Sequence, residues 1–372
     1  MATTKKNTSS TQNNLIDGRV CVSFAALDRY VETNIVSAAE KEIRGSEFMG
    51  WGDSNQYPQY LFGLMKDVTL FRTLIQGIAD YVIGDGVKSN TGFIPDDDVE
   101  EFVRKLALDY LLYGGFAIDV ERSKTGELAK LYYLDFANIR SDKKNEFFWY
   151  STEWQKSAGR AKATKYAKYR SDSKEFSSIF YYKNSNYQTY PMPPIMGDAA
   201  VAVETIKSIS DYHFNNIQNG FSSPTVINFN NGQPTDEQKK EIEDNITEKF
   251  TGPQNAGRTV LSFNDDKEHA VNIAKIPTDD FDKKYETLLK NSRQVLFAAY
   301  KATPALFGIP TENNGFSTEE YDEQFKLFNR TVVRPIQKII CNACDKITKQ
   351  ANSVIIQPFS IEWEKNNEEK VS

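Results

Sequence analysis

Histidine is nearly absent: His213 and His269 are the two in 372 residues. General acid–base and nucleophilic sites lean most often on an imidazole. A hydrolase triad would also need a Gly-x-Ser-x-Gly elbow, and none occurs. His213, beside Phe214 in a helical pattern, reads as a helix-surface or interface residue. Cysteine is scarce as well, with Cys21, Cys341 and Cys344. An odd, small number in a chain of this length argues against a disulfide framework and fits a reducing compartment. Cys341-x-x-Cys344 has one-turn spacing on a predicted helix, but zinc would need four ligands and none are nearby. A redox CxxC would need a βαβ context that is missing. These two read as ordinary helix cysteines.

Other absences narrow the class further. No apolar run approaches the ~18 residues of a membrane helix. No phosphate-binding Walker sequence is present. Gly84-x-Gly86 ends a helical pattern where a dinucleotide fingerprint would open one. Asp96-Asp97-Asp98 precedes a helical pattern, where carboxylates cap the end and complement its dipole. Basic residues are not in excess: 45 Lys and Arg face 51 Asp and Glu, a net charge of −6. That balance argues against a chain that grips nucleic acid tightly. The sequence therefore predicts no catalytic residues, no cofactor and no metal.

What is present is enough for a core: 40% of residues are hydrophobic and 13% aromatic. The polar start reads as a flexible tail, and Val20–Ala26 as a short strand. Trp51–Pro58 is turn-rich. Apolar residues recurring every three to four positions predict a helical region over Gln59–Val82, stopped at Gly84, and a helix over Asp97–Tyr113, ended by Gly114-Gly115. The middle reads as β-rich. Phe116–Glu121 and Ala129–Leu134 form a predicted hairpin about Thr125-Gly126, and Phe147–Tyr150, Ile179–Tyr182 and Tyr187–Tyr190 read as strands. Between them Lys156, Arg160, Lys162, Lys165, Lys168 and Arg170 come without one acidic residue. They form the best candidate for contact with nucleic acid or an acidic partner, although a solvated loop or short helix face explains them too.

Pro191, Pro193 and Pro194 mark a boundary. A helix follows over Asp198–Asn219, with a stripe of Val203, Ile206, Ser210, Phe214 and Ile217 and a terminal Gly220. A strand–helix–strand unit comes next. Thr225–Phe229 is a strand, Asn230-Asn231-Gly232 a turn, Thr235 and Gln238 have capping-box spacing, and Thr259–Phe263 and Val271–Ile276 are strands. A helix from Phe281 ends near Thr303-Pro304. After a loop, Ser317 and Glu320 form a second capping box for a helix that Pro335 should kink. Ser353–Trp363 could add a strand. Composition and pattern alone predict an α+β assembly or interaction protein.

Four pieces carry a resemblance to a known family. They are Asp109-Tyr-Leu-Leu-Tyr-Gly-Gly-Phe-Ala-Ile-Asp-Val120; the long helix ending Ile217-Gln-Asn-Gly-Phe221; Asn231-Gly-Gln-Pro-Thr-Asp-Glu-Gln238 with Phe250-Thr-Gly-Pro-Gln-Asn-Ala-Gly-Arg258; and Thr303-Pro-Ala-Leu-Phe-Gly308 with the capped helix that follows. In this order and spacing, from about Gly50 to Ile347, the chain resembles the portal proteins of tailed bacteriophages, of the siphophage type. It departs from larger relatives in having little sequence after the final helix, so a C-terminal crown would be small or absent.

The resemblance implies a portal fold: an α/β wing, a two-helix stem, a small α/β clip inserted between the stem helices, and a long kinked C-terminal helix. The expected boundaries are a tail 1–18, wing 19–196, first stem helix 197–220, clip 221–278, second stem helix 279–304, tunnel loop 305–316, and wing helix with C-terminal strand 317–372. It implies a virion protein, assembled in the host cytoplasm as a ring of about twelve copies. Double-stranded DNA would pass through that ring without sequence specificity. Expected partners are the large terminase subunit, a head–tail connector, and major capsid and scaffold proteins, with no membrane. The DNA-channel loop would present Thr311, Glu312, Asn313, Asn314, Gly315 and Phe316. The clip would meet partners through Asn230, Asn231, Gly232, Asn255 and Arg258. Rival readings are another head–tail connector or adaptor, an unrecognised cytosolic enzyme, and a prophage or gene-transfer-agent portal with the same mechanism.

Overall fold

The computed structural model describes residues 38–94, 98–154, 162–218, 225–229, 235, 237–238, 259–263, 281–309 and 318–359. The expected tail, the strands at Val20–Ala26 and Val271–Ile276, Gly220 and the Ser317 cap lie outside them. The chain divides into two compact units. One comprises 1–34 and 209–284; the other comprises 35–208 and 285–372.

The larger unit carries most of the described helices and strands. Its helices are α1 (Tyr57–Asp67), α2 (Thr69–Ile83) and α3 (Val99–Tyr113), the first part of α4 (Asp198–Gln218), most of α5 (Phe281–Ala299), then α6 (Thr318–Phe328) and α7 (Arg334–Thr348). A six-stranded sheet takes the order β5-β4-β9-β8-β7-β6. Its strands are β4 (Gly115–Arg122), β5 (Leu128–Leu134), β6 (Ile139–Ser141), β7 (Phe147–Tyr150), β8 (Thr164–Lys168) and β9 (Ser177–Lys183). All its pairings are antiparallel except β8 with β9, which is parallel through Ala167↔Ser178 and Lys168↔Ile179. Two small antiparallel pairs complete the unit: β1 (Glu40–Glu42) with β2 (Met49–Trp51), and β3 (Gly86–Ser89) with β12 (Val354–Gln357).

The core forms where α2 packs on α3 and their apolar stripes join those of β4 in one buried cluster. Phe71, Leu74, Ile75, Ile78 and Val82 of α2 and Val103, Leu106 and Leu111 of α3 are buried, as are Phe116, Ile118 and Val120 of β4. Each such side chain contributes about 1.5–3 kcal/mol of burial. The turn from α3 into β4 needs its glycine pair. Gly114 has φ +80°, and a Cβ there would sit 2.5 Å from the Met192 carbonyl oxygen. A Cβ on Gly115 would sit 2.4 Å from the Tyr182 carbonyl oxygen. A side chain at either position would collide with main chain, of Met192 or of β9.

Several expectations need correction. The single helical region over Gln59–Val82 is two helices broken at Val68, which is extended at φ −105°, ψ 102°. Asp67, Val68 and Thr69 are three weak helix formers in a row. The Lys66 carbonyl freed by the break accepts from Arg72 Nη1 at 3.1 Å. Tyr187–Tyr190 is not a strand. Its anchor is a side chain: Tyr190 is buried, stacks on Trp51 at 4.4 Å, and takes its main-chain N–H to Glu40 Oε1 at 2.8 Å. The described part of the Lys156–Arg170 stretch forms β8, neither loop nor helix, because β7 and β9 each offer it an edge. Asp98 sits at the N-cap of α3 but makes no side-chain cap bond. The dipole complement there comes from Glu100 and Glu101 in the first turn.

Before Pro335 the helix does not merely bend. Asn329–Val333 widens into one π-turn, which joins α6 to α7 and absorbs the main-chain bond that proline cannot make. The α4 stripe is also half right: Val203 and Ile206 are buried in the larger unit, whereas Ser210 and Phe214, in the smaller, are exposed.

In the smaller unit β10 (Thr225–Phe229) and β11 (Thr259–Phe263) pair in parallel over five positions. Parallel strands require a crossover between them, and the predicted capping-box pair lies within that connection. Thr235 N–H donates to Gln238 Oε1 at 3.1 Å, and Gln238 N–H to Thr235 Oγ1 at 3.4 Å.

Candidate functional site

Three places in the larger unit gather polar chemistry. The first is the pair of ends that flank the expected channel loop. Thr311, Glu312, Asn313, Asn314, Gly315 and Phe316 lie outside the described residues, but both approaches are described. A short 3₁₀ turn, Pro304–Phe307, ends at Gly308 (φ +72°) and leads to Ile309. The chain resumes in α6 at Thr318. Tyr81 of α2 touches both sides. Its hydroxyl is 3.0 Å from the Leu306 carbonyl oxygen and 3.1 Å from the Tyr321 hydroxyl. Its ring meets Phe307 edge-on at 6.1 Å, Phe325 at 5.7 Å and Phe328 at 5.7 Å. Burial and the Tyr321 hydroxyl hold the Tyr81 phenol well above its ordinary value, so it stays protonated.

The second is the basic stretch. Lys156 and Arg160 lie outside the described residues, and Lys162 is exposed just ahead of β8. Lys165 pairs with Glu47, and its ammonium lies over Phe147 and Trp149. Lys168 and Arg170 both reach Glu146, at 3.3 and 2.6 Å, and together they hold that carboxyl below its ordinary range. Lys168 and Arg170 line a cavity of about 550 Å³ together with Lys183 and Lys346. Lys183 donates to the carbonyls of Gln188 and Thr189, at 2.6 and 3.3 Å. The sequence brought Lys165, Lys168 and Arg170 forward as a group. It did not show Glu47 and Glu146, which come from other segments and offset their charge.

The third was missed. Asp109 lies on the buried face of α3, one turn after Leu106, and its carboxyl accepts the Phe136 N–H at 3.3 Å. Asp135 caps the next turn, accepting from Ala137 N–H at 3.0 Å and Asn138 Nδ2 at 2.8 Å. Both border a cavity of about 320 Å³ lined further by Phe62, Met65, Leu112 and Tyr133. Burial first, then the Asp135 charge, pushes the Asp109 carboxyl well above the ordinary range, against the hydrogen bonds from Tyr133 and Phe136. The signal was available: an aspartate stands where the apolar period of α3 calls for a hydrophobe.

The remaining sequence candidates are quickly placed. Asn230, Asn231, Gly232, Asn255 and Arg258 lie outside the described residues. Cys341 and Cys344 are on α7, and Cys344 is fully buried; burial pushes the Cys341 thiol up to about 11 and Cys344 higher still, so neither is a nucleophile at neutral pH. His213 is exposed on α4. No group of acidic, histidine and cysteine residues suited to a metal ion occurs among the described residues. No described helix is long and apolar enough to cross a membrane.

Comparison with known proteins gives the class first: a structural component of the bacteriophage head. The family model described as phage portal protein matches residues 94–357, well over half of the sequence, and the chain belongs to that family. Its members are structural capsid components with no catalytic activity. Comparison with curated protein sequences finds no match. Among solved structures, a chain in the neck of an empty gene transfer agent particle, computed with C6 symmetry, has a TM-score of 0.50 at 16% identity, covering 79% of this chain and 82% of that one. A chain of the native gene transfer agent virion has a TM-score of 0.49 at 16% identity, covering 82% and 84%. An HK97 family phage portal protein from Corynebacterium diphtheriae has a TM-score of 0.46 at 10% identity, covering 79% and 94%. At these identities, the neck chain's likeness is one of fold.

Proposed function

We propose that the chain assembles as a ring at one vertex of a virion capsid and forms the channel through which double-stranded DNA is packaged and ejected. The observation that carries this reading is the family match over 94–357. In chain order, a small unit with a parallel strand pair falls between two long helices, α4 and α5. On this reading those helices are the stem, and residues 221–278 are the clip that meets the large terminase subunit and later a head–tail connector. The rest is the wing, facing capsid and scaffold proteins. The neck neighbour, solved with C6 symmetry, agrees with a ring. Assembly in the host cytoplasm follows from the same reading.

Charge supports a channel that does not hold its cargo. α4 carries Asp198, Glu204 and Asp211 against Lys207, and residues 221–278 hold nine acids against six bases. Repeated around a ring, such a wall repels phosphate. Many lysines and arginines would instead release counterions and bind DNA tightly. The loop 305–316 supplies Thr311, Asn313, Asn314 and Gly315, polar groups that touch a sliding backbone weakly.

Electron microscopy of the purified full-length chain tests the ring. End views with an open channel and about twelve-fold symmetry are expected. A monomer that persists in the presence of scaffold and capsid proteins would overturn it. For the loop, deleting Thr311–Phe316 should impair packaging or DNA retention; particles that fill and hold DNA normally would remove the loop from the mechanism.

A further inference from the structure

The hydroxyl of Tyr81 stands between two strangers in sequence. Leu306 precedes the segment outside the described residues and Tyr321 follows it, and one phenolic oxygen bonds to both. The direction of each bond can be deduced. A carbonyl oxygen can only accept, so the single proton of Tyr81 goes to Leu306. Tyr321 must then donate its own proton to the Tyr81 oxygen. The result is a one-way relay, Tyr321 O–H to Tyr81 Oη, and Tyr81 O–H to the Leu306 carbonyl.

The surroundings make that relay a fixed point. Tyr81 sits on α2, whose Ile75, Ile78, Ala79 and Val82 are fully buried in the core. Its half-buried ring is flanked by Phe307 on the upstream side, Phe325 and Phe328 on the downstream side, and Phe359 beyond β12 at 5.2 Å. Phe307 is itself pressed against α2: a Cβ on Gly77 would fall 2.9 Å from its ring. Both ends of the segment are thus tied to one helix of the core, through one side chain. The rings supply burial. The hydroxyl supplies the geometry, because hydrogen bonds, unlike apolar contacts, fix a distance and an angle.

We propose that Tyr81 is the positioning residue for the segment between Leu306 and Tyr321, its hydroxyl fixing the two ends in register with each other and with α2. The consequence for DNA rests on the reading of 305–316 as the channel loop; the positioning itself does not. Tyr81 would not touch DNA. It would set where the loop starts and returns, identically in every copy of a ring.

Hydrogen exchange on the full-length chain tests this. Tyr81→Phe keeps every ring contact and removes the relay. Amides within 306–321 should exchange at least about fivefold faster, the scale of one lost hydrogen bond where two are removed, while β4 and β9 keep their rates. Tyr321→Phe removes one of the two bonds and should give a smaller change in the same amides, and the double variant should add little to Tyr81→Phe, which already breaks both. Unchanged exchange over 306–321 in Tyr81→Phe overturns the proposal, as does acceleration spread evenly over the wing. Loop deletion separates the two ideas. If deletion leaves DNA retention intact while Tyr81→Phe still speeds local exchange, positioning stands and the DNA reading falls.

Discussion

Arg140 and Asn55, 85 residues apart in sequence, are joined twice: Nε donates to Asn55 Oδ1 and Nη2 to the Asn55 main-chain carbonyl, each at 2.6 Å. Arg140 has no exposed surface. Its remaining donors reach the carbonyls of Ala137 and Ile139 and Gln59 Oε1, and its plane lies 4.9 Å over Trp154. A buried guanidinium without a carboxylate partner is tolerable only when its donors are this well occupied. One cation therefore locks β6 to the loop that leads into α1.

Two substitutions at Asn55 separate its roles. Asn55 has φ +60°, and its side chain also accepts the Trp51 N–H at 3.0 Å. Asn55→Gly keeps the backbone at ease but strands Arg140 Nε and Trp51 N–H, and should cost about 2–4 kcal/mol in urea unfolding. Asn55→Ala adds a strained left-handed alanine and should cost about 1 kcal/mol more. Equal values for the two would show that backbone conformation contributes nothing here.

Asp109 should make the larger unit less stable as pH rises. Its folded-state pKa lies well above the ordinary 3.8, so between those values the folded chain binds a proton that the unfolded chain has released. Stability from this group is full below about pH 3.8 and falls as pH climbs toward the raised value. Asp109→Asn removes the dependence. Thermal melts should show the variant gaining on the parent from pH 5 to pH 8, with little difference at pH 4. A gap that widened toward acid would contradict the assignment.

Gly77→Ala should destabilise the protein even though alanine is the better helix former by about 1 kcal/mol. The added Cβ would stand 2.9–3.0 Å from the Phe307 ring, which is held on its other sides by Phe297 and Phe328. Overpacking of this kind costs about 1–3 kcal/mol, so the expected net is a loss of up to about 2 kcal/mol. A stabilised variant in denaturant melts would mean that Phe307 moves aside freely.

Glu146→Gln should raise the affinity of the chain for short duplex DNA at low salt. The carboxylate now faces Lys168 and Arg170, beside Lys183 and Lys346 on the same cavity. Because these groups are exposed, the gain should vanish by about 0.3 M salt. An affinity difference that survives high salt would point to a change in structure, not in charge.

How much of this was legible in the sequence depended on how local each cause is. The hairpin about Thr125-Gly126, the Gly114 helix stop, the Thr235–Gln238 capping box and the disturbance before Pro335 are written within a few residues, and each was read correctly. The break at Val68 is local too, but long apolar periodicity on both sides hides it. Tyr187–Tyr190 looks like a strand because Tyr190 is apolar enough to be buried; that it is held by Glu40 and Trp51 depends on residues about 140 positions away. Separation in sequence also conceals the Tyr81 relay, whose bonds span 225 and 240 residues, and the Glu47 partner of Lys165, 118 residues away, while Glu146 is 22 and 24 residues from Lys168 and Arg170 but on another segment. Family membership was visible earlier than any site, since it rests on the order of local patterns.

The parallel step between β8 and β9 divides the six-stranded sheet into two antiparallel ribbons, β5-β4-β9 and β8-β7-β6, stitched at Ala167↔Ser178 and Lys168↔Ile179. A sheet pulled across its strands parts where the fewest rungs share the load. Tension on this sheet would therefore concentrate on that two-rung seam, and each ribbon would yield as a whole, like two boards opening along a glue line.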